Sequence, residues 1–245
     1  MLGKSQAKYI QSLGQKKVRD SEGVFIAEGS KIISELLAMP GSGILKLYAV
    51  HEWIQANTIH ATPGDVIEVN ETDLAKISQL STPNKVLAVV KKQLPVKTFQ
   101  LKGQVSLVLD TIQDPGNMGT IIRIADWFGI KQVIASHNCA DMYNPKVVQS
   151  TMGSILRVKV LYTDLEHWLA EHQEEVKIYA TALEGEDVRT MNRIDEGLII
   201  IGNESKGINP EIMKLVNTRI TIPRIGGAES LNAAVATGII LSHLR

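Results

Sequence analysis

Val105-Ser106-Leu107-Val108-Leu109 is a nearly unbroken apolar run closed by Asp110. It leads through Thr111-Ile112-Gln113-Asp114-Pro115-Gly116-Asn117-Met118-Gly119-Thr120 into a helical stretch that carries Arg123. A strand with one wet face alternates apolar and polar residues. This run does not, nor does Leu198-Ile199-Ile200-Ile201, so both read as strands buried on two faces in a parallel sheet covered by helices. Working outward, further strands are expected at 132–136, 158–161, 177–182 and 219–222. Helices are expected at 117–128, 145–152, 165–172, 210–216 and 231–244. Ligands of such open α/β sheets sit beyond the carboxyl ends of the strands, so the residues just after each strand are the candidates for chemistry.

Upstream the pattern differs. Helical periodicity at 6–13 and 30–37 alternates with apolar runs at 24–27, 44–50, 66–69 and 86–90, which predicts a small α/β domain over residues 1–91. The composition breaks at Lys91-Lys92-Gln93-Leu94-Pro95-Val96-Lys97-Thr98-Phe99-Gln100-Leu101-Lys102. Residues 92–103 read as a linker, and residues 104–245 as the second domain.

The 245 residues are 44% hydrophobic and 21% charged, ordinary for a globular chain with a sizeable core. The first residues lack the apolar centre of a signal peptide, and no run is long enough to span a membrane, so a cytoplasmic protein is expected. Cys139 is the single cysteine, which excludes an internal disulfide and a multi-cysteine zinc site; it reads as a small buried residue. Net charge is zero, so any nucleic-acid footprint must be local. Lys4, Lys8, Lys16, Lys17 and Arg19 crowd the N-terminus. They suit either phosphate steering or a solvated helix surface.

Three strand ends carry candidate chemistry. In the first, Asn117 suits a helix N-cap and Gly119 permits close backbone approach. Arg123 offers a guanidinium fork for phosphate or ribose, or else an ion-pair partner for Asp110, Asp114 or Asp126. In the second, Gly202-Asn203-Glu204-Ser205-Lys206-Gly207 follows an apolar strand. Glu204 there is placed for hydrogen bonding, either in a site or as a loop brace, and Pro210 suits the first position of a helix. In the third, Ile222-Pro223-Arg224-Ile225-Gly226-Gly227-Ala228-Glu229-Ser230-Leu231-Asn232 precedes an apolar helix. Ser230 reads as its N-cap and Asn232 lies in its first turn. His243 reads as an end-of-helix residue.

No GxxxxGK[ST] loop is present, and GNMGTIIR departs from the dinucleotide fingerprint. There is no GxSxG, and the histidines lack metal-ligand spacing. P-loop, hydrolase and metal chemistries are therefore unsupported.

Taken in order, DPGNMGTIIRIADWFG, IIIGNESKGI and IPRIGGAESLNAAVATGIIL resemble the three motifs of SpoU-type (TrmH-like) RNA 2'-O-methyltransferases of the SPOUT superfamily. VRDSEGVFIAEGSKIISELL resembles that family's substrate-binding domain, which is similar to the L30e ribosomal fold. The resemblance covers nearly the whole chain. It implies an N-terminal L30e-like RNA-binding domain and a parallel-sheet catalytic domain whose C-terminal segment forms a deep trefoil knot. It also implies a homodimer with active sites at the subunit interface, S-adenosylmethionine as methyl donor and no metal. By resemblance Thr181, Ala182, Leu183, Gly202, Asn203, Ile222 and Leu231 surround the cofactor. Arg123 handles the target 2'-hydroxyl or a neighbouring phosphate, and Asn117, Glu204, Ser230 and Asn232 complete the site. Arg224 and the pair Ala233-Ala234 depart from the family pattern, which touches substrate detail.

The implied activity is methylation of a ribose in structured RNA, with rRNA favoured over tRNA by the L30e-like front domain. A tRNA enzyme of the same chemistry, or a non-catalytic RNA-binding or ribosome-assembly protein of the same fold, are the alternatives.

Overall fold

The computed structural model describes residues 2–57 and 65–245. By contacts the chain divides into two compact units, residues 1–94 with 143–153, and residues 95–142 with 154–245.

In the first unit the elements run α1 (Lys4–Ser12), α2 (Lys16–Glu22), β1 (Val24–Glu28), α3 (Ser30–Ala38), β2 (Ile44–Ala49), α4 (His51–Ala56), β3 (Val66–Glu68), α5 (Glu71–Ile77) and β4 (Val86–Lys91). The strands form a sheet in the order β1-β4-β2-β3, with β4 antiparallel to both of its neighbours and β2 parallel to β3. β1 is buried along its whole length. Periodicity predicts α1 and α3 but not α2, α4 and α5. These are single short segments with few apolar residues, below the length at which a helix is stable alone, so tertiary contacts hold them. Arg19 shows how. It is 1% exposed and donates from one guanidinium nitrogen to the carbonyls of Leu13 (3.0 Å) and Gly14 (2.8 Å), just past the end of α1. Arg19 is therefore a structural brace and not part of a phosphate-steering patch; Lys4, Lys8, Lys16 and Lys17 are exposed.

The second unit contains β5 (Val105–Leu109), α6 (Pro115–Trp127) and β6 (Gln132–Ser136). The next helix, α7 (Pro145–Thr151), belongs to the first unit, where it packs on β1 and where the Tyr143 ring lies 4.9 Å from that of Phe25. The second unit then continues with β7 (Lys159–Thr163), α8 (Leu165–His172), β8 (Ile178–Asp187), β9 (Gly197–Ile201), α9 (Pro210–Met213), β10 (Thr218–Thr221) and α10 (Ala233–Leu244). Its six strands form the expected parallel sheet, in the order β10-β8-β9-β5-β6-β7.

Because side chains alternate across a strand, the central strands divide between two faces. Val108, Ile134, Ile178 and Ile200 join Leu165, Trp168 and Leu169 of α8 and Ile212 of α9 in one core. Leu101, within 92–103, is buried in the same cluster. Met118, Ile121, Ile122 and Ala125 of α6 are fully buried, and α10 packs along α6. The apolar sequence of α10 is thus partly accounted for inside the unit. Among the described residues no helix is long and apolar enough to cross a membrane.

Candidate active site

The end of β5 is fastened on three sides. Asp110 is buried and accepts hydrogen bonds from the Thr111 hydroxyl (2.8 Å) and the Asn209 amide (2.8 Å). Thr111 has φ 59°, a left-handed conformation seldom adopted by a β-branched residue, and its amide donates to the Ser136 hydroxyl at 3.0 Å. Cys139 sits beneath this turn. Its Sγ donates to the Leu109 carbonyl and accepts from the Ile112 amide, both at 3.2 Å, and burial pushes the thiol pKa up. The small buried cysteine expected from composition is what the structure contains.

α6 starts one residue after Asp114, whose carboxylate accepts from the Asn117 amide at 2.8 Å. The expectation that Asn117 caps this helix is corrected. Pro115 occupies the first helical position, where its missing N–H costs nothing, so the cap is the residue before it. Asn117 becomes the third helical residue and its carboxamide is released for other work. Its Nδ2 donates to Glu204 Oε1, and its Oδ1 accepts from Asn232 Nδ2 at 2.8 Å.

Asn232 is the N-cap of α10, accepting through Oδ1 from the amides of Ala234 (3.0 Å) and Val235 (3.2 Å). Ser230 therefore does not cap this helix. It is exposed, two residues before the cap, and makes no side-chain hydrogen bond among the described residues. Serine and asparagine cap with similar strength, so local preference could not choose between them.

The three strand ends thus converge on one line of donors, Asn232 to Asn117 to Glu204. Its start is anchored on the first amides of α10, and its middle residue stands in the first turn of α6. Both helix N-termini carry partial positive charge that favours a carboxylate at the end of the line. Arg123 lies outside this trio. Six residues beyond Asn117, it stands about 9 Å along the helix axis and about 120° around it. It is exposed and has no ion-pair partner among the described residues. The ion-pair alternative is not realised: Asp126 is engaged by Arg157 at 2.8 Å and by Ser154, and Asp110 by Thr111 and Asn209.

The segment expected to border the cofactor has an unusual local shape. β10 pairs Arg219 with Ala180 but Ile220 with Glu186, so residues 181–185 of β8 loop out of the ladder. Gly185 lets the strands pass there, since a Cβ would stand 2.5 Å from the Arg219 carbonyl oxygen. Thr181 and Ala182 are half-buried and Leu183 is 76% exposed, with its carbonyl accepting from the Thr221 hydroxyl at 3.0 Å. β8 and β9 pair Ala180 with Ile200, so Ala182 stands level with Gly202 when that register is extended. Gly202 has no room for a side chain, its Cβ position lying 2.6 Å from the Gly207 carbonyl carbon. Ile222 follows β10 directly. Ile225, further along the same loop, is 97% exposed, and Leu231 is exposed before the cap.

A separate cavity of about 490 Å³ opens at the ends of β5, β6 and β7, lined by residues that include Asp110, His137, Asn138, Asp164 and Lys206. Of the residues expected around the cofactor only Asn203 lines it. Asp110 and Asp114, expected only as possible ion-pair partners of Arg123, instead brace the β5 end and cap α6, and Thr111 joins Asp110 in the first role. The signals for them were the position immediately after the strand and the Asp-Pro pair.

With this geometry in view, the profile of the SpoU rRNA methylase family matches residues 104–242. The chain belongs to the SpoU rRNA methylase family. Residues 4–88 match the MRM3-like substrate binding domain. Among SpoU relatives, the chain is similar to the 23S rRNA (guanosine(2553)-2'-O)-methyltransferase RlmP of Bacillus subtilis (strain 168), at 31% identity over 96% of this chain and 94% of that one. A solved structure from Porphyromonas gingivalis, assigned to the TrmH family of RNA methyltransferases, aligns with a TM-score of 0.87 and 33% identity over 100% of this chain and 98% of that one. An AdoMet-bound rRNA methyltransferase from Sinorhizobium meliloti aligns with a TM-score of 0.83 and 32% identity over 100% and 96%. The mixed α/β architecture with its parallel sheet is therefore that of SpoU methyltransferases, preceded by a substrate-binding unit.

Proposed function

We propose that this protein methylates a ribose 2'-oxygen of ribosomal RNA with S-adenosylmethionine as donor. The observation that carries the reading is the convergence of Asn117, Glu204 and Asn232 from three motif segments of a SpoU family chain. The full-length similarity to an enzyme named for 23S rRNA 2'-O-methylation supports rRNA over tRNA.

The cofactor pocket consists of Thr181, Ala182, Leu183, Gly202, Ile222 and Leu231. The fit is supported by the looped-out backbone at 181–185 and by exposed apolar side chains at Leu183 and Leu231, a combination of unladdered amides and apolar surface suited to a purine and an amino-acid tail. S-adenosylmethionine supplies an electrophilic sulfonium methyl, which the ribose oxygen takes as S-adenosylhomocysteine departs.

A ribose hydroxyl is a very weak acid, so the protein must align it, stabilise charge growing on its oxygen and give its proton a destination. Arg123 supplies the stabilising guanidinium. A guanidinium is a donor with no accepting atom, so the acceptor is Glu204, whose Oε1 is oriented by Asn117, or a phosphate oxygen of the RNA. Asn232 holds Asn117 in register, and the exposed Ser230 contacts the substrate side.

We further infer a homodimer that buries Trp127, 84% exposed and one helical turn beyond Arg123, together with Val235 of α10. A knotted C-terminal segment accords with β10 at the sheet edge followed by α10 returning to pack on α6. Labelled S-adenosylmethionine offered with purified 23S rRNA and with tRNA tests the function. Label is expected in the 23S rRNA as a 2'-O-methylnucleoside, and transfer confined to tRNA overturns the rRNA assignment.

A further inference from the structure

We propose that Asn203 is a positioning residue for the Glu204 carboxylate and not a cofactor contact. The inference rests on the methyltransferase reading and reassigns one residue expected in the cofactor pocket.

Every polar atom of Asn203 already has a partner within the protein. Its amide donates to the Gly207 carbonyl at 3.1 Å and its carbonyl accepts from the Gly207 amide at 2.9 Å, closing residues 203–207 onto themselves as a small hairpin. Its Oδ1 accepts from the Ser205 amide (3.0 Å), the Ser205 hydroxyl (2.9 Å) and the Lys206 amide (3.1 Å), which shapes the tip of that loop. Its Nδ2 donates to the Thr111 carbonyl at 2.9 Å, across 92 residues of sequence.

That last bond falls on the residue whose backbone is in the left-handed region. The turn at φ 59° aims its carbonyl at the 203–207 loop, while the Ser136 hydroxyl and the Asp110 carboxylate hold its other polar groups. Asn203 thus ties the Glu204 loop to the end of β5, from which the chain runs directly into α6 and Asn117. Glu204 reaches Asn117 only if these two segments keep their spacing. Gly202 is packed too closely to accept a side chain, and the Asn203 to Thr111 bond ties the loop that follows it to the end of β5.

Two substitutions remove the bond in different ways. Asn203→Asp keeps the acceptor but sets a carboxylate against the Thr111 carbonyl. Asn203→Ser is too short to reach the Thr111 carbonyl and adds no charge, while its hydroxyl still accepts in the turn, so a folding defect confined to the first leaves the second to decide. Methyl transfer to 23S rRNA would be measured for kcat and KM, and cofactor binding by calorimetry. Both variants are expected to lower kcat by about ten- to a hundredfold, the scale of a catalytic group displaced by an ångström. Cofactor Kd should stay within about twofold of wild type. In a Glu204→Gln background, Asn203→Ser should lower kcat by no more than about a further twofold, because it acts through the group already removed.

Equal fold-losses in the two backgrounds, or cofactor binding that weakens in step with kcat, would overturn the proposal for an active wild-type enzyme. No transfer by the wild type to any RNA would overturn the methyltransferase reading itself, and this proposal with it.

Discussion

Asn232 donates from Nδ2 to the Asn117 carboxamide oxygen at 2.8 Å, joining residues 115 positions apart in the chain. The same Asn232 caps α10 through its other side-chain atom, so one residue both starts a helix and orients a site. The two roles are separable. Asn232→Ser should keep the cap and lose the reach to Asn117, whereas Asn232→Ala loses both. Unfolding measurements should show Asn232→Ala destabilised by about 1 kcal/mol and Asn232→Ser by a few tenths at most. Turnover should fall by a similar factor in both. A fully active serine variant would show that the link to Asn117 is not used.

Arg123 carries no ion pair among the described residues and is exposed on α6, so its removal costs the fold little. Arg123→Ala is expected to lower kcat by about 10²- to 10³-fold while calorimetry finds cofactor binding unchanged. Arg123→Lys should recover part of the loss, since a point charge replaces the planar fork. Unchanged turnover in the alanine variant would remove Arg123 from the mechanism.

Glu28 provides a pH signature in the first unit. It is buried on β1, accepting from the Ser78 hydroxyl and the Gln79 amide, each at 2.7 Å. Burial raises its pKa, and the two hydrogen bonds offset this only in part. The folded protein therefore keeps a proton on Glu28 at pH values where the unfolded chain has released it. Stability from this group is complete below the ordinary glutamate range and is lost as pH rises through the raised pKa. Urea midpoints followed from acid to neutral pH should fall more steeply for wild type than for Glu28→Gln. Parallel slopes would exclude Glu28 as their source.

Much of the second unit was legible from local pattern. Residues 105–109, 132–136 and 165–172 have the predicted boundaries, because apolar runs end there at charged or turn-forming residues. β8 was predicted to end at 182 but extends to Asp187. Glu184-Gly185-Glu186-Asp187 has no strand pattern of its own, and its end is held by the pairing of Glu186 with Ile220 and Asp187 with Thr221 of β10. The caps failed for a different reason. Asp114 against Asn117, and Ser230 against Asn232, are choices between residues of nearly equal capping strength; Pro115 at the first helical position settles the first locally, and capping preference alone does not settle the second.

The sequence by itself determined the layered α/β plan, the order of the three chemical segments and the residue types available at each, since these follow from periodicity and composition over neighbouring positions. Tertiary structure alone decided that Asn232, Asn117 and Glu204 form one hydrogen-bonded line and that Arg123 stands outside it. It also decided that Arg19 serves as a buried brace while its neighbouring lysines stay in solvent. Those outcomes depend on which distant strand ends meet, and a hydrogen bond fixed to a few tenths of an ångström between residues 87 or 115 apart leaves no trace in local pattern.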